Sequence, residues 1–358
     1  MAYWPLGEMR LRSAVDQEIR DLIHKHGRIT FAQFMQACLY SPHGGFYSSR
    51  GTRISTHFGT SPTSHPVFGA LIARQLEQMW HLLGDPPVFH VLEVGSGDGA
   101  LAQAIVHACG RMAPRLAQVL YYVAADYEPR WLPSPDHPFA WDNGTGDGMS
   151  PATVSAEGFR AAISTSARHQ LNGAPFPATV SAEGRQLNGA PSLTEGYRGE
   201  VNLAMEDWTG QLSRALDRGF ILTIDYGQLA TDLYSLQNNQ GTLVCYHRHV
   251  VSSDPYQHIG HQDMTCQVDF TSLMRLGDRH GLATVGYALQ RQFLTNLGFA
   301  SCLDALPTQG LSAARTALSR MAMMTLIDPD EYGDFKVLAQ AKGHEVGMEL
   351  LGFARQGT

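Results

Sequence analysis

Two short stretches of this 358-residue chain place acids and glycines where chemistry can be done. The first is Glu93-Val-Gly95-Ser-Gly97-Asp-Gly99. Glycines at alternate positions let the backbone turn sharply and let a ligand approach with no Cβ in the way. Glu93 and Asp98 make the turn acidic. The second stretch is Asp225-Tyr-Gly227, at the end of the apolar run from Gly219. Strand ends at the carboxyl edge of open α/β sheets are where ligands gather. A third acid, Asp126, closes the run Val119 to Ala125. In a doubly wound sheet it is placed to hydrogen-bond the ribose of an adenosine ligand; it can equally be a turn former. His247 and His249 alternate, so a strand would put them on one face. They have no acidic third partner at a recognisable spacing, so lobe packing or polar surface is expected and no metal.

Two nucleotide-type ligands could use the glycine turn. Gly95, Gly97 and Ala100 formally fit the dinucleotide pattern G-x-G-x-x-G/A. A pyrophosphate, however, would be repelled by Glu93 and Asp98. S-adenosyl-L-methionine carries a sulfonium and an ammonium and no phosphate, so it suits acidic surroundings. A glycine-rich turn with no ligand is the plainer alternative.

The elements that must hold these residues can be read from periodicity. Val88, Phe89, Val91, Leu92 and Val94 form the short apolar run of a strand covered on both faces. Ala100 to Ala108 then reads as a helix whose free N–H groups face the turn. Helical spacing also marks 11–26, a helix capped by Thr30, and Val67 to Leu83. Trp208, Leu212 and Leu216 mark the inner face of a helix that follows Gly199. Further strands are expected at 241–247, 283–289 and 335–339, with a helix capped by Asp269. Strands alternating with helices indicate a mostly parallel α/β sheet.

The middle of the chain is different. PATVSAEG occurs at Pro151–Gly158 and at Pro177–Gly184, and QLNGAP at Gln170–Pro175 and at Gln186–Pro191. The two offsets differ, so this is a duplicated low-complexity insertion rather than a regular repeat, and an irregular segment is expected. The expected organisation is a helical cap over 1–87 and an α/β domain over 88–343, with the insertion at 144–193 and a lobe at 228–269. A tail covers 344–358.

An apolar share of 44% supports a sizeable core, and the net charge of −7 with no basic block argues against nucleic acid. Five cysteines with no C-x-x-C suggest neither a disulfide framework nor zinc, and point to a reducing compartment. The first residues have neither the apolar core of a signal peptide nor a convincing transit pattern. No apolar run is long enough to span a membrane.

A set of ordered motifs carries more. They are Ile29-Thr-Phe-Ala-Gln-Phe-Met35, Leu39-Tyr-Ser-Pro42 with Gly45-Phe-Tyr47, Phe58-x-Thr60-Ser-Pro62, Phe68-Gly69 and the glycine turn. Gly219 to Gly227 follows, then the block from Gly241-Thr-Leu243 through Gly260-x-Gln262-Asp263-x-Thr265 to Val268-Asp269-Phe270. Gln290-x-x-Phe293-Leu294 and Phe335-Lys-Val-Leu338 close the series. In this order they resemble the MidA family of class I S-adenosylmethionine-dependent methyltransferases.

The resemblance implies a Rossmann-like, mostly parallel sheet with an N-terminal helical cap and an inserted lobe. It implies S-adenosyl-L-methionine as cofactor, held by Thr60, Ser61, Glu93, Gly95, Gly97, Gly99 and Asp126. It implies methylation of an exposed arginine on a protein, a respiratory complex I subunit in part of the family, with Asp225, Tyr226 and Asp263 as catalytic candidates. Carboxylates are the groups that pair with a planar guanidinium. The implied compartment is the cytoplasm, or the mitochondrial matrix in a eukaryote, and a homodimer stays open.

The sequence departs from the family at His57 and Thr63, which stand for Asp and Glu. The family's Asn-Glu-x-x-Asp-Ala-x-Pro element has no counterpart, and the insertion fills its place. A second reading follows: a methyltransferase-fold assembly or interaction factor that binds cofactor with impaired turnover. A nicotinamide dehydrogenase would need a hydride-transfer site, and none is found.

Overall fold

The computed structural model describes residues 13–49, 60–126, 178–181, 196–343 and 348–354. The 144–193 insertion, apart from 178–181, and the family positions His57 and Phe58 lie outside the described residues. In chain order the helices are α1 (Ala14–His26), α2 (Phe31–Tyr40), α3 (Ser61–Ser64), α4 (Val67–Leu82), α5 (Ala100–Met112) and α6 (Pro114–Val119). They continue as α7 (Met205–Ala215), α8 (Ala230–Leu233), α9 (Phe270–Arg279), α10 (Gln290–Asn296), α11 (Phe299–Ala305) and α12 (Ala313–Thr325). The strands are β1 (Phe89–Val94), β2 (Leu120–Ala125), β3 (Ala178–Ser181), β4 (Arg198–Val201), β5 (Gly219–Asp225) and β6 (Gly227–Gln228). They continue as β7 (Val244–His247), β8 (Val250–Ser252), β9 (Asp263–Thr265), β10 (Val268–Asp269), β11 (Ala283–Leu289) and β12 (Lys336–Lys342).

The chain divides into two compact units. The larger comprises residues 59–174, 205–233 and 268–358, the smaller 1–58, 175–204 and 234–267. The helices before Val88 are shared between them: α1 and α2 belong to the smaller unit, α3 and α4 to the larger.

In the larger unit β1 and β2 pair in parallel, from Phe89↔Leu120 to Val94↔Ala125. The crossover between them is α5 and α6. Phe89 and Val91 turn toward a core built from α4 (Leu71, Ile72, Met79, Trp80) and α5 (Ile105, Ala108, Cys109). Gly69 sets the approach of those helices, because a Cβ there would stand 2.5 Å from the Ala104 methyl. The other face of β1 is not covered as the apolar run suggested: Leu92 and Val94 are exposed, Val94 at 57%. Among the described residues the helices pack on one side of the pair, and strand alternation sends Leu92 and Val94 to the other.

A three-stranded sheet of order β11-β12-β5 completes the larger unit. β12 is antiparallel to both neighbours, so β5 and β11 run the same way. The chain leaves β11 at Leu289 and starts β12 at Lys336, its direct register partner, which forces β12 to run back. The described part of the last residues, 348–354, docks here: Leu350 is buried and the Phe353 ring meets Phe293 at a tilt, with centroids 5.1 Å apart.

Helix α7 corrects one expectation. Its inner face is Met205, Thr209, Gly210 and Ser213, and Trp208 is 39% exposed. Small residues let α9 and its C-terminal cap come close: a Cβ on Gly210 would meet the His280 ring at 3.1 Å, and the Ser213 hydroxyl donates to the His280 carbonyl. Trp208 falls one position off that stripe. Asp269 does cap α9, its carboxylate accepting from the Ser272 N–H at 3.0 Å.

In the smaller unit α1 and α2 pack on the antiparallel sheet β8-β7-β9. Val15, Ile19, Phe34, Cys38, Leu39 and Phe46 meet Cys245 and Met264 in its core. Thr30 caps α2 reciprocally with Gln33. Glu200 on β4 accepts from both the N–H and the hydroxyl of Thr242, which ties β4 to the approach to β7. Arg248 and His249 form the turn between β7 and β8, both with positive φ (49° and 64°). His249 therefore does not share a strand face with His247. His247 instead stacks on His258 at 4.1 Å and its Nδ1 meets the His261 carbonyl.

Candidate cofactor site and acceptor edge

The glycine turn connects β1 to α5 in the larger unit. Gly95, Gly97 and Gly99 all have positive φ, at 80°, 56° and 76°. That conformation strains any residue carrying a Cβ. Nothing lies within 4 Å of where a Cβ on Gly95 or Gly97 would stand, so conformation rather than crowding demands glycine there.

The N–H groups of the turn are used internally. Those of Gly95 and Ser96 donate to the Ala125 carbonyl, at 2.8 and 3.1 Å. That of Gly97 donates to Asp126 Oδ2 at 2.8 Å, and that of Ala100 to Asp98 Oδ1 at 3.1 Å. The end of β2 thus locks onto the turn, through backbone at Ala125 and through carboxylate at Asp126.

Glu93 lies on the inner face of β1. Tyr122, on the same face of β2, donates its hydroxyl to Glu93 Oε2 at 2.8 Å. Burial pushes the Glu93 carboxyl up to about 7; the Tyr122 bond opposes this, and Asp126 and Asp98 add to it. Burial, with Glu93 beside it, also raises the Tyr122 phenol. Tyr122 escaped the sequence reading, although alternation along β2 puts it on the inner face.

Three carboxyl groups thus surround a turn whose N–H groups at Gly97 and Ala100 already serve carboxylates. A pyrophosphate finds repulsion here and lacks those two donors. A ligand bearing a sulfonium and an ammonium finds charge compensation and open space beside Gly95 and Gly97. The residues present fit S-adenosyl-L-methionine.

Thr60 and Ser61 belong to α3, which packs on α5. Thr63, the position where the family carries Glu, accepts from the Thr60 N–H at 3.1 Å through its hydroxyl. It performs the back-reaching half of a capping box, as Glu would. Ser61 is buried, and its hydroxyl donates to Gln290 Oε1 at 3.1 Å.

Asp225 ends β5, and its carboxylate accepts from the Tyr226 N–H at 2.8 Å. Burial pushes it up to about 6, against the pull of that bond. The Tyr226 ring meets Phe335 edge-on at 5.6 Å. Lys336 pairs in register with Asp225 across the β12–β5 ladder. Burial and the nearby Arg291 lower the Lys336 ammonium, while Asp232 raises it. The carboxyl edge of β5 is therefore a mixed array of acids, cations and aromatic rings. Asp263 belongs to the smaller unit, where it is buried on β9. Its Oδ1 accepts from the Tyr47 hydroxyl at 2.8 Å and from the Met264 N–H at 2.9 Å. Burial raises its carboxyl against both bonds.

Comparison with known proteins agrees with the turn chemistry. A family model described as "Putative S-adenosyl-L-methionine-dependent methyltransferase" matches residues 71–131 and 155–288, more than half of the chain. A curated Drosophila melanogaster protein, named protein arginine methyltransferase NDUFAF7 homolog, mitochondrial, is 32% identical over 91 residues. That match covers 25% of this chain and 21% of the relative, so the chain spans about a fifth of the curated protein it matches. A crystal structure from Burkholderia thailandensis, of a methyl transferase candidate bound to S-adenosyl-homocysteine, superposes with a TM-score of 0.71 at 24% identity, covering 96% of this chain and 95% of that one. A native structure of an uncharacterized protein of the same superfamily, also from Burkholderia thailandensis, superposes with a TM-score of 0.69 at 25% identity, over 96% and 94% of the two chains. The likeness shows an α/β methyltransferase-type fold.

Proposed function

The chain belongs to this S-adenosyl-L-methionine-dependent methyltransferase family, and from that premise we propose that it methylates an arginine of a protein substrate. The observation that carries the cofactor half is the acidic glycine turn, with Asp126 bonded to the Gly97 N–H and Glu93 beneath it. Glu93, Gly95, Gly97, Gly99 and Asp126 would hold the cofactor, with Thr60 and Ser61 beside them. When bound, the cofactor supplies a methyl group activated on a sulfonium.

Transfer to nitrogen is an in-line displacement, and the protein's task is alignment. Asp225 and Tyr226 form the acceptor edge in the larger unit. The Asp225 carboxylate suits one side of a guanidinium, and the Tyr226 ring offers a face to a cation. A carboxyl near 6 is ionised at neutral pH and can take the proton that the methylated nitrogen gives up. Asp263 is the corresponding candidate in the smaller unit. The arginine specificity and the complex I substrate rest on the family resemblance and on the name of the Drosophila relative.

The missing Asn-Glu-x-x-Asp-Ala-x-Pro element favours a second reading, cofactor binding with impaired turnover by an assembly factor. One assay separates the two. The protein is incubated with methyl-labelled cofactor and a respiratory complex I subunit carrying an exposed arginine, and the arginines are analysed. Labelled arginine that disappears in Asp225→Ala supports the enzyme. Cofactor binding with no label on any arginine supports the second reading and overturns the first. The described residues contain no helix long and apolar enough to cross a membrane.

A further inference from the structure

Gln290 is the first residue of α10 and has no solvent exposure. Its polar groups are matched one to one. Oε1 accepts from the Ser61 hydroxyl at 3.1 Å, Nε2 donates to the Leu326 carbonyl at 2.9 Å, and the backbone N–H donates to the Phe335 carbonyl at 2.7 Å. A single residue thus joins α3 and the end of α12 through its side chain, and the entry to β12 through its backbone N–H, all within the larger unit. A buried amide of this kind is retained only where its bonds are made.

Helix α3 needs such an anchor. It has four residues, one turn, far below the length at which a helix holds itself. The Thr60–Thr63 bonds are local and exposed. The Ser61–Gln290 bond is buried and spans 229 positions of sequence. Helix α3 also packs on α5, which starts at the glycine turn.

We propose that Gln290 is a positioning residue for the cofactor site: through Ser61 it fixes the Thr60–Ser61 turn beside the glycine turn, without reaching the cofactor itself. This rests on the proposed placement of Thr60 and Ser61 at the cofactor. It adds a role for a family motif residue that the sequence reading left without one. The backbone N–H of the same residue bonds the Phe335 carbonyl at the β12 entry, next to Lys336 and its register partner Asp225.

The test uses the full chain and five variants: Ser61→Ala, Ser61→Thr, Gln290→Met, the Ser61→Ala/Gln290→Met double mutant, and Gly97→Val as a control. Calorimetry measures S-adenosyl-L-methionine affinity and thermal melting measures stability. Loss of one buried bond in a positioning link predicts about a tenfold weaker affinity in Ser61→Ala and in Gln290→Met. The double mutant should be no weaker than the weaker single, because both remove one link. Ser61→Thr, which keeps the hydroxyl, should restore part of the affinity. A lowered melting temperature with unchanged affinity in Ser61→Ala would overturn the inference, even if Gln290→Met fails to fold. Additive losses in the double mutant would do so as well. If the unmodified protein binds no cofactor, the functional reading itself fails. If it binds, and only Gly97→Val loses binding, the inference alone fails.

Discussion

Replacing Glu93 with Gln should make the unliganded protein more stable and its cofactor binding weaker. The carboxyl moves from an ordinary 4.5 to about 7 on folding, chiefly by burial. One pH unit in such a displacement corresponds to about 1.4 kcal/mol, so the ionised Glu93 costs the native state about 3 kcal/mol at most. The sign follows from the direction. Below pH 4.5 the carboxyl is protonated in both states and costs nothing. Between 4.5 and 7 the native state holds the proton that the unfolded chain has lost, so stability falls as pH rises. Above about 8 the full cost is present. Gln keeps an acceptor for the Tyr122 hydroxyl and removes the titration. Urea unfolding of both proteins at pH 4 and at pH 8 should therefore give near-equal stabilities at the acid end. At the alkaline end Glu93→Gln should lead, by up to about 3 kcal/mol. The cofactor reverses the preference, because its cationic groups favour ionised Glu93. Binding near pH 7 should release part of a proton, seen as a dependence of calorimetric heat on buffer ionisation enthalpy, and Glu93→Gln should abolish that dependence. Parallel pH–stability curves for the two proteins would refute the reasoning, and would mean that Glu93 is already ionised and paired.

Other outcomes follow from packing and capping. Leu71→Ala, at a fully buried position between α4 and the rest of the core, should cost about 2–5 kcal/mol in chemical unfolding. Thr63→Glu should leave the α3 cap in place and stabilise it by a few tenths of a kcal/mol up to about 1, read as a small rise in melting temperature. Trp208→Ser should change stability by less than about 1 kcal/mol, whereas Gly210→Leu should be severely destabilising, because α9 and its cap close over Gly210 and not over Trp208. Asp225→Asn should lower methyl transfer while leaving cofactor affinity within about threefold, a split between turnover and binding that steady-state kinetics can read.

The glycine turn and its flanking strands were legible because their signals are local. The apolar run, the alternating glycines and the acid ending β2 are each set by backbone conformation or alternation over a few residues, and they recur as β1, the positive-φ turn and Asp126. The cap of α9 was legible for the same reason. What escaped depends on distant partners. Periodicity cannot tell that Leu92 and Val94 on β1 are exposed, since the apolar run reads the same either way. Trp208 outweighed the small residues Thr209, Gly210 and Ser213 in apolar pattern, yet close helix approach selects small side chains. His249 looked like a strand residue because a two-residue turn at Arg248–His249 has none of the usual Asn-Gly chemistry. Gln290 appears in sequence only as part of a motif, and its burial is visible only once Ser61, Leu326 and Phe335 have been brought to it. The grouping of α1 and α2 with residues 234–267 is likewise a product of long-range packing.

The acidic glycine turn is proposed to hold S-adenosyl-L-methionine. The most direct measurement is calorimetric titration of the cofactor into the protein and into Gly97→Val. A branched side chain at a φ of 56° would strain the turn and fill the open space beside it. One-to-one binding to the unmodified chain and none to the variant is expected, with melting curves showing both folded. Equal affinity in the two proteins, or no binding to the unmodified chain, would contradict it.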